Sequence, residues 1–293
     1  MSTATLQLAR VEATRLARNP LVWVSIVPAA FWVRSARTAG EAEGQMFLLI
    51  GFGLLIPCLT MMMMMVLSVL RGRYSRTEEL LGSLAVGPDR RSIGHAISAV
   101  GGGVVAIVVT IGFVVALPFD DPLGRWSPYL AEEIAIPRPN VAQILQGPLA
   151  VIAMLVFVVA LVRWVPSWLV MLPITFLLLL VQGLWVGMWH GAPTQSRRWV
   201  FPLNTGVVNG KWIGCTPESP VCELPVSGFD TTTPWWHAAY LLALCPLFGS
   251  IAVLRHRRDR VTWIWFAAAA VLVAGLVVVQ VVVAESYTGG RLM

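Results

Sequence analysis

A membrane span is plainest in residues 46–70, MFLLIGFGLLIPCLTMMMMMVLSVL, a run of 25 residues without a charged side chain. A helix needs about 20 apolar residues to cross the hydrocarbon core of a bilayer, so this run is long enough. The whole chain agrees, since 57% of its 293 residues are hydrophobic and only 12% are charged, against roughly 25% charged in a soluble domain. The sequence therefore predicts an all-α fold, a polytopic bundle of membrane helices.

Further apolar blocks on both sides of this run predict about seven spans in all. Their bounds are 20–34, 46–70, 93–117, 141–162, 164–189, 236–254 and 261–284. The first block is short and contains Pro28, so six spans is the alternative count. Only Arg163 and the turn-prone Pro166–Ser167 separate the fourth block from the fifth, which predicts a tight hairpin. In the third block, Gly101–Gly103 are expected to allow close helix packing.

The arginines indicate the orientation. With a cytoplasmic N-terminus, segments 1–19, 71–92, 163–167 and 255–260 lie on one side and hold 13 of the 21 arginines and lysines. Because basic residues concentrate in cytoplasmic loops, we predict a multi-pass protein of the bacterial plasma membrane with its N-terminus in the cytoplasm.

The long loop 191–235 then faces outward. An oxidising environment there favours a disulfide between Cys215 and Cys222, with two free thiols as the alternative. The loop forms either re-entrant half-helices or a surface cap.

Residues 1–19 have the pattern of an amphipathic helix lying in the membrane interface. Helical spacing puts one apolar set on one side: Leu6, Ala9, Ala13, Leu16 and Ala17. The polar set falls on the other side: Gln7, Arg10, Thr14 and Arg18. Residues 20–293 are predicted to form the membrane domain.

The cytoplasmic loop 71–92, RGRYSRTEELLGSLAVGPDRRS, contains a predicted short helix over 75–87. Ser75 and Glu78 have the spacing of a capping box, and Gly87–Pro88 is a turn signal. The helix would carry acidic and apolar side chains, which suits docking into a groove of a soluble partner. A helix on the membrane surface with no partner is the alternative.

Ionisable side chains are missing from the middles of the six stronger spans, which argues against an ion-driven transporter. Gln182 and Gln280 are the strongly polar groups at depth, and we interpret both as interhelical hydrogen-bonding groups. The four histidines are interpreted as interfacial side chains: His95, His190, His237 and His256. We find no catalytic motif, metal-ligand spacing or nucleotide loop. The chain is therefore predicted to be neither an enzyme nor a nucleic-acid binder, with no cofactor of its own.

Two segments carry a family resemblance: EELLGSLAVGPDRRSIGHAIS at 78–98 and TPWWHAAYLLALCPLFGSIAVLRHRRDR at 233–260. The predicted order of elements is an interfacial helix, two spans, a cytoplasmic helix, three spans and a broken outer segment before the next span. With this order and these two segments, the chain resembles permease subunits of ABC-2 type (type V) exporters, particularly actinobacterial ones. The block 261–284 departs from the usual six-span core of that family.

The resemblance implies ATP-driven export of a hydrophobic or amphiphilic substrate, such as a drug, antibiotic or lipid. ATP and Mg would be held by separate cytoplasmic ABC ATPase subunits, and a second permease, identical or homologous, would complete the dimer. The coupling helix would present these residues to the ATPase: Thr77, Glu78, Glu79, Leu80, Leu81 and Leu84. The substrate path would be lined by Met61, Met62, Met65 and Gln182. A membrane-embedded enzyme or a non-transport scaffold is the alternative function.

Overall fold

The computed structural model describes residues 3–38, 53–74, 87–116, 141–165, 167, 177 and 232–289. All regular elements in these ranges are helical. They are α1 (Thr3–Ala17), α2 (Pro20–Val24), α3 (Ile26–Thr38), α4 (Leu55–Tyr74), α5 (Pro88–Ala116), α6 (Val141–Trp164), α7 (Thr232–Leu254) and α8 (Arg260–Gly289). Several residues with predicted roles lie outside the described ranges. They are Gln182, Cys215, Cys222, the coupling residues 77–84 and most of the span 164–189.

Four helices are long and apolar enough to cross a bilayer: Pro88–Ala116, Val141–Trp164, Trp235–Leu254 and Arg260–Val282. They coincide with the predicted spans 93–117, 141–162, 236–254 and 261–284, which makes the chain a multi-pass helical membrane protein by length and composition. Two further apolar helices, Pro20–Phe31 and Leu55–Arg71, are shorter within the described residues. The count of seven spans stays a prediction.

The predicted first span, 20–34, is divided into α2 and α3 at Ser25. Asn19 caps α2, its side-chain oxygen accepting from the Leu21 N–H at 2.9 Å. Pro28 has no N–H to bond the carbonyl of Val24, and its ring crowds that carbonyl. The helix therefore breaks before the proline, which sits in the first turn of α3, where a missing N–H is tolerated.

Helices α4 and α7 run parallel to α6, whereas α5 runs antiparallel to it. The Gly53–Phe113 and Met65–Ser98 contacts make α4 and α5 antiparallel, and α5 is also antiparallel to α6. The Phe157–Phe248 ring pair, with centroids 5.0 Å apart, joins α6 to the parallel α7. Helix α8 then returns antiparallel to α7. One end of the bundle consequently holds the starts of α5 and α8 and the ends of α4, α6 and α7.

The predicted close packing at Gly101–Gly103 is confirmed, because α5 lies between α1 and α6 there. A Cβ at Gly101 would come within 2.8 Å of the Ala13 Cβ, and one at Gly102 would overlap a methyl carbon of Leu155. Gly103 is equally close to Ile152. Side chains at these positions would push the helices apart.

Several boundaries and one face differ from prediction. Arg71 lies inside α4, while Arg90 and Arg91 lie in the first turns of α5, so the connection between the helices is shorter than the predicted loop 71–92. Helix α7 begins at Thr232, inside the predicted outer loop 191–235. On α1, Ala9 and Leu16 are buried as expected, but Leu6 is 51% exposed. The buried face is rotated toward Thr5 because α1 packs on α5.

Candidate functional site

The candidate site is the junction of α1, α4 and α5, at the end of the bundle where the predicted coupling segment is attached. Helix α4 ends at Tyr74 and α5 begins at Pro88, so these two helices hold the ends of residues 75–86. Proline suits the first turn of a helix, and the acidic Asp89 beside it suits the positive end of the helix dipole. Local sequence thus explains why α5 begins there.

Glu12 connects α1 to α4 through its carboxylate. Its Oε2 accepts a hydrogen bond from the Ser68 hydroxyl at 2.7 Å, and its Oε1 accepts one from Arg15 Nη1 at 2.8 Å. The Glu12 side chain is only 11% exposed, whereas that of Arg15 is 56% exposed. Both carboxylate oxygens are therefore satisfied, and the bond to Ser68 ties the two helices together.

Small residues connect α1 to α5. A Cβ at Gly94 would lie 3.0 Å from the Leu8 side chain, and one at Gly101 would lie 2.9 Å from the Cα of Ala13. Ala9 is buried on the same side of α1. The two backbones therefore run in direct contact for about two helical turns, an arrangement that only small residues permit.

The methionine run of α4 completes the junction. Asn19 Nδ2 lies 3.0 Å from Met64 Sδ, and the Ser98 hydroxyl points to Met65 Sδ at 4.0 Å. A small cleft of about 70 Å³ lies between Glu12, Asn19, Ser68 and Arg71. Polar groups of Asn19, at the start of α2, and of Ser98, on α5, thus meet the polarisable sulfurs of α4.

The predicted path residues Met61, Met62 and Met65 are buried, with exposed fractions of 0%, 1% and 2%. They belong to the main apolar core, where Leu16 and Met61 pack over Gly102. Within one chain they act as adaptable packing residues. Their role as lining of a substrate path stays a prediction.

His95 was predicted at the interface, and this prediction is wrong. The side chain is 8% exposed on the packed face of α5, and its Nδ1 has no hydrogen-bond partner among the described residues. The sequence held a signal for this: Ser92, Ser98, Ala99 and Gly102 share the same helical face, and all are buried. Small residues at helical spacing mark the packed side of α5.

A second polar site lies between α7 and α8. His237 Nδ1 and Gln280 Oε1 are 2.8 Å apart, and the two side chains are 0% and 2% exposed. The ring of Tyr240 lies 5.8 Å from that of His237. Gln280 is thus an interhelical hydrogen-bonding group, as predicted, while the interfacial placement of His237 is wrong. His256, by contrast, is exposed.

The same residues also bear on metal binding. Across the described ranges, no group of three His, Cys, Asp or Glu side chains is arranged to hold a metal ion. No family model, curated protein or solved structure matches the chain. Its function is therefore inferred from its own residues.

Proposed function

We propose that the chain is the permease subunit of an ATP-driven ABC-2 type exporter, whose residues 75–87 couple it to a separate ATPase. The observation that supports this is the junction of α1, α4 and α5. The two helices that carry the coupling segment are joined there by a third helix, through Glu12–Ser68 on one side and Ala13–Gly101 on the other.

Such a junction suits the transmission of force. A push on a segment held by two independent helices would be absorbed as each helix shifts alone. Close backbone packing makes the three helices move together, because packed interfaces change between discrete arrangements and do not deform continuously. Movement of residues 75–86 would then reach the core through α4, which carries Met61 and Met65, and through α5.

The proposed partner is a cytoplasmic ATPase with a groove that receives Glu78, Glu79 and the leucines at 80, 81 and 84. A hydrophobic or amphiphilic substrate fits a bundle whose four long helices are predominantly apolar. Two permease subunits, identical or homologous, would form the path together. The energy source would then lie outside this chain.

The experiment is purification of the tagged full-length chain from its native membrane, identification of any ABC ATPase that co-purifies, and measurement of ATP hydrolysis after reconstitution in proteoliposomes. The intact chain is expected to retain the ATPase and to change its hydrolysis rate. Glu79→Arg is expected to abolish both effects without reducing membrane insertion, because it reverses a charge on the docking face.

Glu132→Arg is the matched control. It makes the same replacement in residues 118–140, which join the third and fourth predicted spans on the side opposite the coupling segment, and it should leave both readouts unchanged. If Glu79→Arg retained full ATPase binding, the coupling assignment of residues 75–87 would be wrong. If the intact chain bound no ATPase, the exporter proposal itself would be wrong, and the membrane scaffold or embedded enzyme would replace it.

A further inference from the structure

The connection between α7 and α8, residues 255–260 (RHRRDR), is here named the basic turn. It contains four arginines and a single aspartate, and all four arginines are exposed. The turn lies at the end of the bundle that also holds the end of α6 and the start of α5. It is the densest positive charge in the described part of the chain.

Neighbouring helices fix one arginine of the turn. The Trp164 indole, at the end of α6, donates its Nε1–H to the Ile251 carbonyl of α7 at 3.0 Å. The Arg255 guanidinium lies over this ring, 5.5 Å from its centroid. Because the ring is held by the hydrogen bond, the guanidinium is already in place before any anion arrives, and less side-chain entropy is lost on binding.

The lone aspartate does not neutralise the rest of the turn. Asp259 accepts bonds from the Thr262 N–H at 3.0 Å and from its hydroxyl, which caps α8. Its other oxygen is paired with Arg257 at 2.7 Å. One arginine is therefore occupied by the aspartate, while the Arg255 guanidinium lies over Trp164, and Arg258 and Arg260 lie at the positive N-terminal end of the α8 dipole.

Apolar and aromatic side chains begin immediately beyond the arginines. Trp263, Ile264 and Trp265 are 51%, 57% and 67% exposed on α8. Tryptophan concentrates where headgroups meet hydrocarbon. The surface thus offers positive charge at headgroup level and apolar contacts one turn deeper, in the order that a phospholipid presents its phosphate and its acyl chains.

From these features we infer that the basic turn is a binding site for an anionic glycerophospholipid. Arg255, Arg258 and Arg260 contact the headgroup phosphate, and Trp263 and Ile264 contact the glycerol and upper acyl chains. Clusters of arginine next to a membrane helix attract anionic headgroups. The stacked Arg255 adds a fixed contact that a mobile basic tail lacks. This inference does not depend on the exporter proposal.

Native mass spectrometry of the full chain, titrated with phosphatidylglycerol or phosphatidylcholine, tests the site. We expect preferential binding of phosphatidylglycerol. Arg255→Gln and Arg258→Gln should each weaken it about fivefold, since one arginine near a membrane surface contributes about 1 kcal/mol toward an anionic lipid. Affinity for phosphatidylcholine should not change.

Arg10→Gln and Arg18→Gln are matched controls, because Arg10 on α1 and Arg18 just after it are both exposed and carry the same charge. They should keep the preference for phosphatidylglycerol. An equal loss in the α1 variants and the turn variants would show diffuse attraction, and no loss in the turn variants would show binding elsewhere. Either result overturns the site.

Two further measurements separate a lipid site from a simple anion site. Inorganic phosphate at millimolar concentration should displace little bound phosphatidylglycerol, and Trp263→Ala should weaken the lipid severalfold. Complete displacement by phosphate, or full lipid affinity in Trp263→Ala, would overturn the assignment to a lipid. Thermal unfolding of each variant in detergent checks that the turn substitutions leave the fold intact.

Discussion

The α1–α4–α5 junction and the α7–α8 pair are held together in different ways. At the junction, glycine and alanine bring backbones into contact and Glu12 adds a polar bond between helices. Helix α8, in contrast, packs mainly on α7 among the described helices, and only 11% of its most apolar 18 residues are buried. One buried polar pair, His237–Gln280, marks its position.

The two interfaces stabilise the bundle in different ways. An apolar helix gains little by leaving lipid for other apolar side chains, so close packing and hydrogen bonds must hold membrane helices together. The junction uses backbone proximity over two turns, which resists sliding. The α7–α8 pair uses a local polar contact, which specifies register while leaving the rest of α8 to the lipid.

A substitution in the α1–α4–α5 junction should cause the greatest loss of stability. Gly101→Leu should destabilise the protein by about 3 kcal/mol, because the new Cβ would lie 2.9 Å from the Cα of Ala13 and force α1 away. Unfolding in mixed micelles with increasing SDS measures the loss. Gly112→Leu is the control on the same helix, since nothing lies within 4 Å of a Cβ there; comparable loss in both variants would contradict the close contact.

A smaller effect should follow from breaking the α7–α8 pair. His237→Leu or Gln280→Leu should each cost about 2 kcal/mol, because the hydrogen bond between the two buried side chains is lost. The double variant should cost less than the two single variants together, since the shared hydrogen bond can be lost only once. A double-mutant cycle by SDS unfolding measures the coupling, and strict additivity would mean that the 2.8 Å contact contributes nothing.

Ser68→Ala should cost about 1 kcal/mol, because Glu12 loses the bond to α4 but keeps Arg15. The same unfolding assay applies. Arg15→Gln is the companion variant, and its effect should be smaller still, since the guanidinium is more than half exposed and exposed ion pairs contribute little. A larger effect from Arg15 than from Ser68 would reverse the assigned roles.

The smallest expected effect is at the start of α8. Hydrogen bonds from the Thr262 side chain and backbone, helped by Arg257, lower the pKa of Asp259 to about 2. A lowered pKa means that the stabilising cap is fully present above the ordinary carboxyl pKa of about 4 and is lost as pH falls toward 2. The protection of the Thr262 and Trp263 amides, measured as their exchange rate relative to that of an unfolded peptide at the same pH, should therefore fall across this window, and Asp259→Asn should abolish that change.

Sequence predicted the long helices well and the neighbours of polar groups poorly. The spans 93–117 and 141–162 could be predicted because the hydropathy of a span is summed over about 20 residues. A few polar residues therefore change the sum little. The environments predicted for His95 and His237 were wrong because a single histidine near the end of a span gives the same sequence pattern in two cases. It can be surrounded by lipid headgroups or by another helix. Only tertiary packing distinguishes the two environments.

Within the junction, the sequence indicated the close approach at Gly101–Gly103 but not its partner. Nothing local connects Ala13 with Gly101, or Glu12 with Ser68, because these residues are far apart in the chain. The amphipathic pattern of α1 was read as a preference for the membrane surface, when the same pattern also serves packing on α5. Leu6, exposed on α1, is the residue that shows this difference.

The contact between α1 and α5 also bears on how the chain is made. Helix α1 leaves the ribosome before α5, yet the glycines that contact it belong to α5, which is synthesised only after α2, α3 and α4. During that interval the side of α1 that packs on α5 has no partner there, and the interface of the bilayer can cover it for a time. We therefore expect α1 to reach its final position later than its place in the chain suggests.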